Sequence, residues 1–153
     1  MNIDDKGLIK KEENDGSLNK NTNSNLVEQT TDKLFDGVSR IINRAKRGVA
    51  IYVNVQSNMM FWQVGKYIIS ELKYENYSAY GKKILATLSQ RLTAQFGKGY
   101  SYSALTRMMK VATVYQDEKM FAALSQTLTW GHFLELITIE DSTKRLFYQQ
   151  MGI

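Results

Sequence analysis

The chain of 153 residues contains no cysteine, no proline and a single histidine, His132. Without cysteine there is no disulfide framework, no thiol nucleophile and no cysteine zinc site. One histidine cannot build a histidine-rich metal site, and a position between Trp130 and Phe133 favours a hydrogen-bonded structural residue over a catalytic base. The absence of proline permits long uninterrupted helices.

Long apolar runs are also missing. The longest is Val49–Val53, far short of the ~18–20 apolar residues that a membrane span requires. The polar N-terminus lacks the apolar segment of a signal peptide, so we expect a cytoplasmic protein without a membrane partner. Neither a glycine-rich phosphate loop nor a Gly-x-Ser-x-Gly motif is present, and we expect no catalytic residue, no metal and no cofactor.

One long window lacks acidic residues altogether. Residues 76–116 contain no Asp or Glu and carry six Lys or Arg, which gives the window a charge of +6. Because the whole chain has a net charge of +5, the remainder sums to −1. A surface without acids attracts polyanions and offers them no local repulsion.

The same window has the layout of a helix-turn-helix at about residues 81–116. A first helix is predicted from Gly81 or Lys82 to Phe96, with its apolar residues on one stripe of period 3.6. The run Gly97–Gly99 would end it, and Ser101 or Ser103 would cap a second helix. A short glycine-containing turn between two amphipathic helices is typical of the motif, whose second helix enters the major groove.

The candidate nucleic-acid-binding residues divide into groups with separate roles. Arg107 would reach a base edge or a phosphate, and hydroxyl groups near the start of the second helix would bond to phosphate. The lysines and Arg91 would supply nonspecific phosphate contacts, and two tyrosines would stack or donate to phosphate. The set comprises Lys82, Lys83, Arg91, Lys98, Tyr100, Tyr102, Ser103, Thr106, Arg107 and Lys110. The alternative to nucleic-acid binding is that the window forms an ordinary helical hairpin whose basic face is only hydrated.

The N-terminal third combines a polar segment with a long amphipathic pattern. Residues 1–30 have few apolar side chains, mixed charge and six Asn, a composition that predicts a disordered tail. From Thr31 or Asp32, apolar residues at steps of three and four predict a long helix as far as Val53, with Gly48 as a weak point. Residues 56–74 have a broad apolar face that favours a central core helix, or alternatively a dimer seam between the two long helices. Residues 74–81 are predicted to form a loop.

The segment after Gln116 is predicted to hold three short helices. Asp117 would cap the first, Thr129 the second, and Asp141 or Ser142 the last. The chain ends directly after an amphipathic stretch, which predicts a domain whose continuation is missing. The fold class is therefore all-α: a disordered tail (1–30) and a multi-helix domain (31–153) that contains the helix-turn-helix.

From residue 32 onward the sequence resembles the N-terminal domain of the YhcG family of bacterial proteins. The matching stretches, in family order, are Phe61–Lys66, Tyr80–Lys82, Leu88–Leu92, Phe96–Ser101, Arg107–Met108, Leu124–Phe133 and Lys144–Tyr148. Family members tend to have an Asn-Leu-Arg-Arg-Met-like run where this chain has Ala104–Met108, so Thr106 stands in place of one Arg.

The resemblance implies a helical, DNA-binding module that precedes a PD-(D/E)xK restriction-like nuclease domain, with the nuclease half absent from this chain. The expected partners are double-stranded DNA, a nuclease domain or chain, and a second copy in a homodimer. Two other functions stay open. In the first, the helices at 32–75 and 124–150 would dimerise or dock a partner as an assembly module. In the second, the chain would itself be a nuclease, for which the Glu71–Lys73 fragment on a predicted helix is weak support.

Overall fold

The computed structural model describes residues 2–72 and 80–152, and gives side chains from residue 19 onward. All regular structure within these residues is helical. The helices are α1 (Asn2–Leu72), α2 (Lys82–Phe96), α3 (Tyr102–Val114), α4 (Glu118–Leu124), α5 (Trp130–Leu136) and α6 (Ser142–Gln150). The predicted all-α class is confirmed. Most of the predicted loop at 74–81 lies outside the described residues.

Contacts divide the chain into two units, Met1–Gly48 and Val49–Ile153. In the first unit, the side chains of residues 19–36 are all exposed. The helix does not start at Thr31, because the Thr31 hydroxyl donates to the carbonyl of Val27 at 2.7 Å within α1. Disorder of residues 1–30 and a domain boundary at residue 30 stay predictions.

The core of the second unit consists of two apolar clusters, and α1 contributes to both. Trp62 packs in the first cluster among residues of α3, α4 and α5, including Val111, Phe121 and Phe133. Ile68 and Leu72 belong to the second cluster, which also holds Leu85, Leu105 and Met108. The prediction of a central core helix is confirmed for this part of α1. Met60 belongs to the broad apolar face of residues 56–74, but its side chain is exposed.

Polar side chains of α1 bind the backbone at the ends of other helices. Trp62 Nε1 donates to the carbonyl of Tyr115 at 2.6 Å. Asn58 Nδ2 donates to the carbonyl of Leu128 at 3.0 Å, and Asn54 Nδ2 to the carbonyls of Ser125 and Leu128, both at 2.9 Å. Carbonyls just beyond a helix end have no partner within the helix, so the bonds to Tyr115 and Ser125 satisfy such carbonyls. The bonds to Leu128 hold the connection between α4 and α5 to α1.

The closest approach between α1 and α3 occurs at Gly65. A Cβ atom at this position would lie 2.1 Å from the carbonyl oxygen of Met108 and 2.8 Å from the amide nitrogen of Met109. These neighbours are backbone atoms of α3, which cannot move as the end of a flexible side chain can. Only glycine therefore allows the two helices to pack at this distance.

The short C-terminal helices begin with the predicted caps. Asp117 accepts hydrogen bonds from the amides of Lys119 and Met120. Asp141 accepts from the amides of Thr143 and Lys144 at the start of α6. Thr129 and His132 form a capping box at the start of α5, in which His132 Nδ1 accepts from the Thr129 amide at 3.0 Å. The prediction that His132 is a hydrogen-bonded structural residue is confirmed.

No helix within the described ranges is long and apolar enough to cross a bilayer.

Substitution of Gly65 by alanine should lower the free energy of unfolding by about 1–3 kcal/mol, because the added methyl group forces α1 away from α3. Denaturant unfolding followed by circular dichroism measures the change. The matched control is Gly131→Ala in α5, where an added Cβ would meet only the Thr129 hydroxyl at 3.7 Å. That variant should lose nothing and gain up to about 1 kcal/mol from helix propensity. Equal stabilities of the two variants would contradict a tight crossing at Gly65.

Candidate nucleic-acid interface

Helices α2 and α3 form the hairpin that carries the acid-free window. Leu85 and Ser89 of α2 are buried, and Ile84, Leu88 and Leu92 pack beside the second core cluster. The predicted limits of the first helix match those of α2 within a residue. The structure establishes two helices joined by a turn, and their action as a DNA-binding helix-turn-helix stays a prediction.

Glycine backbone conformation and three local contacts shape the turn between the helices. Gly97 and Gly99 have φ angles of 82° and 113°, values that side chains with a Cβ rarely adopt. The Ser89 hydroxyl donates to the carbonyl of Tyr100 at 2.8 Å, and the Phe96 and Tyr100 rings lie 6.1 Å apart. Ser101 then caps α3 by accepting from the Ala104 amide at 3.1 Å, so of the two predicted caps Ser101 is the one used.

Helix α3 has one buried face and one exposed face. The buried residues are Leu105, Met108, Val111 and Ala112, followed by Tyr115 just beyond the helix. Helical spacing from Lys110 places Val114 on the exposed face, yet the structure half-buries it. Four predicted site residues lie together at steps of three and four on the exposed face, namely Ser103, Thr106, Arg107 and Lys110.

The cations of α2 and the turn do not share a single helix face. Lys83 and Arg91 lie two turns apart on one side of α2 and line a shallow depression with Ile84, Thr87 and Leu88. Lys82 is rotated away from Lys83 by about 100° and from Arg91 by about 180°, since it lies one residue before the first and nine before the second. Lys98 is in the turn.

All six cations of the window have exposed side chains. None of these six side chains forms an ion pair or donates a hydrogen bond within the described part of the chain. Their charges are therefore available to an external anion.

The hydroxyl and aromatic members of the predicted set differ in what they offer. The Thr106 hydroxyl donates to the carbonyl of Tyr102 at 2.8 Å, so it presents lone pairs rather than a proton to solvent. Tyr100 is half-buried against the second core cluster. Tyr102 and Ser103 are exposed, and they are the better placed of these four residues to meet a phosphate.

An apolar groove of about 620 Å³ lies between α1 and α2. Met60, Val64 and Tyr67 line it from α1, and Leu88 and Phe96 are among its residues from α2. Sequence reasoning missed the groove. Helical periodicity shows which residues share one face of a helix, but it does not show where the faces of two neighbouring helices stay out of contact. Tyr67 and Phe96, which line the groove, have large exposed side chains.

No group of three or more His, Asp or Glu side chains comes together within the described residues to hold a metal ion. Glu71 is exposed near the end of α1, and Lys73 of the weak nuclease-like fragment lies outside the described residues.

The far end of α3 is held by Tyr115. Its ring packs edge-on against Phe133 with centroids 5.3 Å apart, and its hydroxyl donates to Gln149 Oε1 at 3.3 Å. Burial raises the pKa of the Tyr115 phenol above its ordinary value, and the positive charge of Arg145 opposes this shift. Arg145 is itself fixed, since its guanidinium donates to the carbonyls of Leu136 and Ile139.

The family comparison covers the same region as these contacts. The model of the DUF1016 N-terminal domain matches residues 37–153. The chain belongs to this family. The match supports the resemblance to the YhcG family, the known context of the domain, and extends through every helix from the middle of α1 to α6. Neither a curated protein nor a solved structure matches the chain.

The stability of this DUF1016 N-terminal domain should depend on the Tyr115 phenol at alkaline pH. The unfolded chain releases this proton near its ordinary pKa of about 10, whereas the folded chain releases it at higher pH. The contribution is therefore complete below about pH 10 and is lost as pH rises through the folded pKa. Wild type should lose more unfolding free energy between about pH 8 and about pH 11 than Tyr115→Phe.

Urea unfolding at the two pH values measures this difference. Tyr102→Phe is the matched control, since it removes an exposed phenol from the other end of the same helix. Tyr102→Phe should follow wild type. If Tyr115→Phe also loses as much stability as wild type, burial of the phenol is not what couples the fold to pH.

Proposed function

We propose that this domain binds double-stranded DNA through the exposed face of α3 and the neighbouring cations of α2 and the turn. The observation that carries the proposal is a set of six exposed cations, free of ion pairs to the described residues, in a window without any acid. Unpaired cations can replace the counterions of the phosphate backbone, and release of those counterions drives association.

The exposed face of α3 supplies the contacts nearest to the bases. Arg107 and Lys110 lie one turn apart on this face, with Ser103 and Thr106 beside them. Arg107 has the planar, forked donor group that matches a phosphate or a guanine edge. Lys110 acts as a point charge on the backbone. Thr106 accepts rather than donates a hydrogen bond, because its proton is held by the Tyr102 carbonyl.

The burial pattern of α3 suits a helix that offers its exposed residues to DNA. Its opposite face is packed into both core clusters through residues such as Leu105, Met108 and Val111. A helix held on one side by a core keeps the backbone positions of its exposed residues constant. Binding therefore does not require the helix to fold on contact, which reduces the entropic cost of association.

The family context suggests what the binding serves. YhcG-like proteins join this type of domain to a PD-(D/E)xK nuclease, and we infer that the domain positions such a nuclease on DNA and performs no chemistry itself. The nuclease would be a separate chain or a domain continuous with this one. The alternative function is an assembly module, which the exposed apolar residues of α1 favour.

Fluorescence anisotropy of a labelled duplex, titrated at several salt concentrations, tests the DNA proposal. If four to six phosphates are contacted, log K should fall with log salt at a slope of about −4 to −5. The double variant Arg107→Ala, Lys110→Ala should bind more weakly, and because each phosphate contact contributes roughly 0.9 to the slope, its magnitude should fall by about 0.9 if Arg107 contacts a base and by about 1.8 if it contacts a phosphate.

The matched control is Lys119→Ala, Lys144→Ala. It removes the same two charges from exposed positions outside the acid-free window. Its slope should stay close to that of wild type. Equal losses in the two double variants would mean that net charge, and not the face of α3, governs binding. No binding by wild type at ~50 mM salt would overturn the proposed function.

A further inference from the structure

The N-terminal unit carries an apolar face that the described structure leaves uncovered. Val27, Leu34, Phe35, Val38, Ile41 and Ile42 are all exposed, with exposed fractions of 70% for Phe35 and 69% for Ile41. Together with Thr31 and Ala45 they recur at steps of three and four, and so they form one stripe along α1. We call these eight residues, which lie between Val27 and Ala45, the apolar stripe.

The helix that carries the stripe has little to stabilise it alone. Within the described residues, side chains 19–36 are all exposed, and Gly37 and Gly48 lower the helix propensity of the segment. An isolated helix of ordinary composition is marginal in water, and most helical stability in proteins comes from packing of an amphipathic face. A helix here needs a partner on the apolar stripe.

The stripe is symmetric about Val38. Phe35 and Ile41 lie three residues on either side of it, and Leu34 and Ile42 lie four residues on either side. Thr31 and Ala45 follow at seven. In two antiparallel copies that cross at Val38, each residue faces the one that lies equally far on the other side of Val38 in the second copy. Phe35 would therefore face Ile41, Leu34 would face Ile42, and the small side chains of Thr31 and Ala45 would face each other.

The charges of the segment distinguish the two orientations of such a pair. Residues 28–36 hold Glu28, Asp32, Asp36 and Lys33, which sum to −2, whereas residues 37–47 hold four cations and no acid, which sum to +4. A parallel pair would place residues 37–47 of one copy, with a charge of +4, beside the same residues of the other copy, where the like charges repel. An antiparallel pair sets each +4 segment beside a −2 segment at the ~8–10 Å spacing of packed helices, within about one Debye length.

We propose that two copies of this chain associate through the apolar stripe as an antiparallel helix pair centred on Val38. The acidic and basic residues of each segment lie outside the seam, so they select the orientation through their summed charge, and the stripe supplies the buried surface. The pairing is isologous, since the same residues face each other on both copies. This inference is independent of the proposed DNA binding.

Sedimentation equilibrium of the full chain at tens of micromolar, without DNA, tests the association. Wild type should have twice the monomer mass of 17.6 kDa. Val38→Glu places a charge at the centre of both copies and should yield a monomer. Asn43→Glu is the control, because it adds the same charge at an exposed position on the other side of α1, and it should stay a dimer. A monomeric wild type, or a dimeric Val38→Glu variant, would overturn the proposal.

Cysteine crosslinking tests the register and does not depend on a disruptive substitution. The chain has no native cysteine, so each introduced thiol is the sole one per copy. Val38→Cys should form a disulfide-linked dimer under mild oxidation. Leu34→Cys should not link to itself, since antiparallel pairing separates the two positions by eight residues or about 12 Å, beyond the ~7 Å Cα limit of a disulfide.

A mixture of Leu34→Cys with Ile42→Cys should link efficiently, because these positions face each other at the same level. Self-linkage of Leu34→Cys without linkage in the mixture would indicate a parallel pair and refute the antiparallel arrangement. Linkage of a stripe cysteine to Leu88→Cys, and not to Val38→Cys, would show that the stripe occupies the groove between α1 and α2, and would overturn stripe-to-stripe pairing.

Discussion

The second unit depends on a backbone contact at Gly65. This residue allows α1 to approach the Met108 carbonyl of α3 at a distance that no side chain would permit. Trp62 lies one turn before Gly65 and its indole donates to the Tyr115 carbonyl, while Ile68 lies one turn after it in the second core cluster. One stretch of α1 thus supplies a close contact, a buried hydrogen bond and apolar packing to the same helix.

This arrangement explains how a small domain without disulfides presents a constant basic surface. The buried side of α3 is held at its middle by Gly65 and at its end by Tyr115, and Ser101 caps its start. The other side is left to solvent with Arg107 and Lys110. Because the polar contacts are made to backbone atoms, they constrain the helix itself and leave the exposed side chains free to bind a ligand.

The two proposals assign separate roles to the two units. The basic face belongs to the second unit, and the apolar stripe belongs to the first. The family match begins at residue 37, within the stripe. If both proposals hold, each dimer carries two basic faces, and a duplex long enough to reach both would meet the second face at a raised effective concentration once the first has bound.

Periodicity and local chemistry were enough to predict much of this protein. The limits of α2, the turn at Gly97 and Gly99, and the caps Asp117, Thr129 and Asp141 were all predictable, because each depends on residues within one turn of the helix. The exposed positions of Arg107 and Lys110 were predictable too, since a helix with a clear apolar stripe directs its other residues outward.

Other features depended on contacts between residues distant in the chain. The role of Gly65 follows from the position of Met108, and the partial burial of Tyr100 and Val114 follows from neighbouring elements. The groove beside Leu88 exists because α1 and α2 do not close over it. The amino-acid sequence by itself determined the limits of α2, the helix caps and the charges, because those are local properties. Only the tertiary structure decided which helix approaches which, because that depends on the shapes of surfaces brought together from separate parts of the chain.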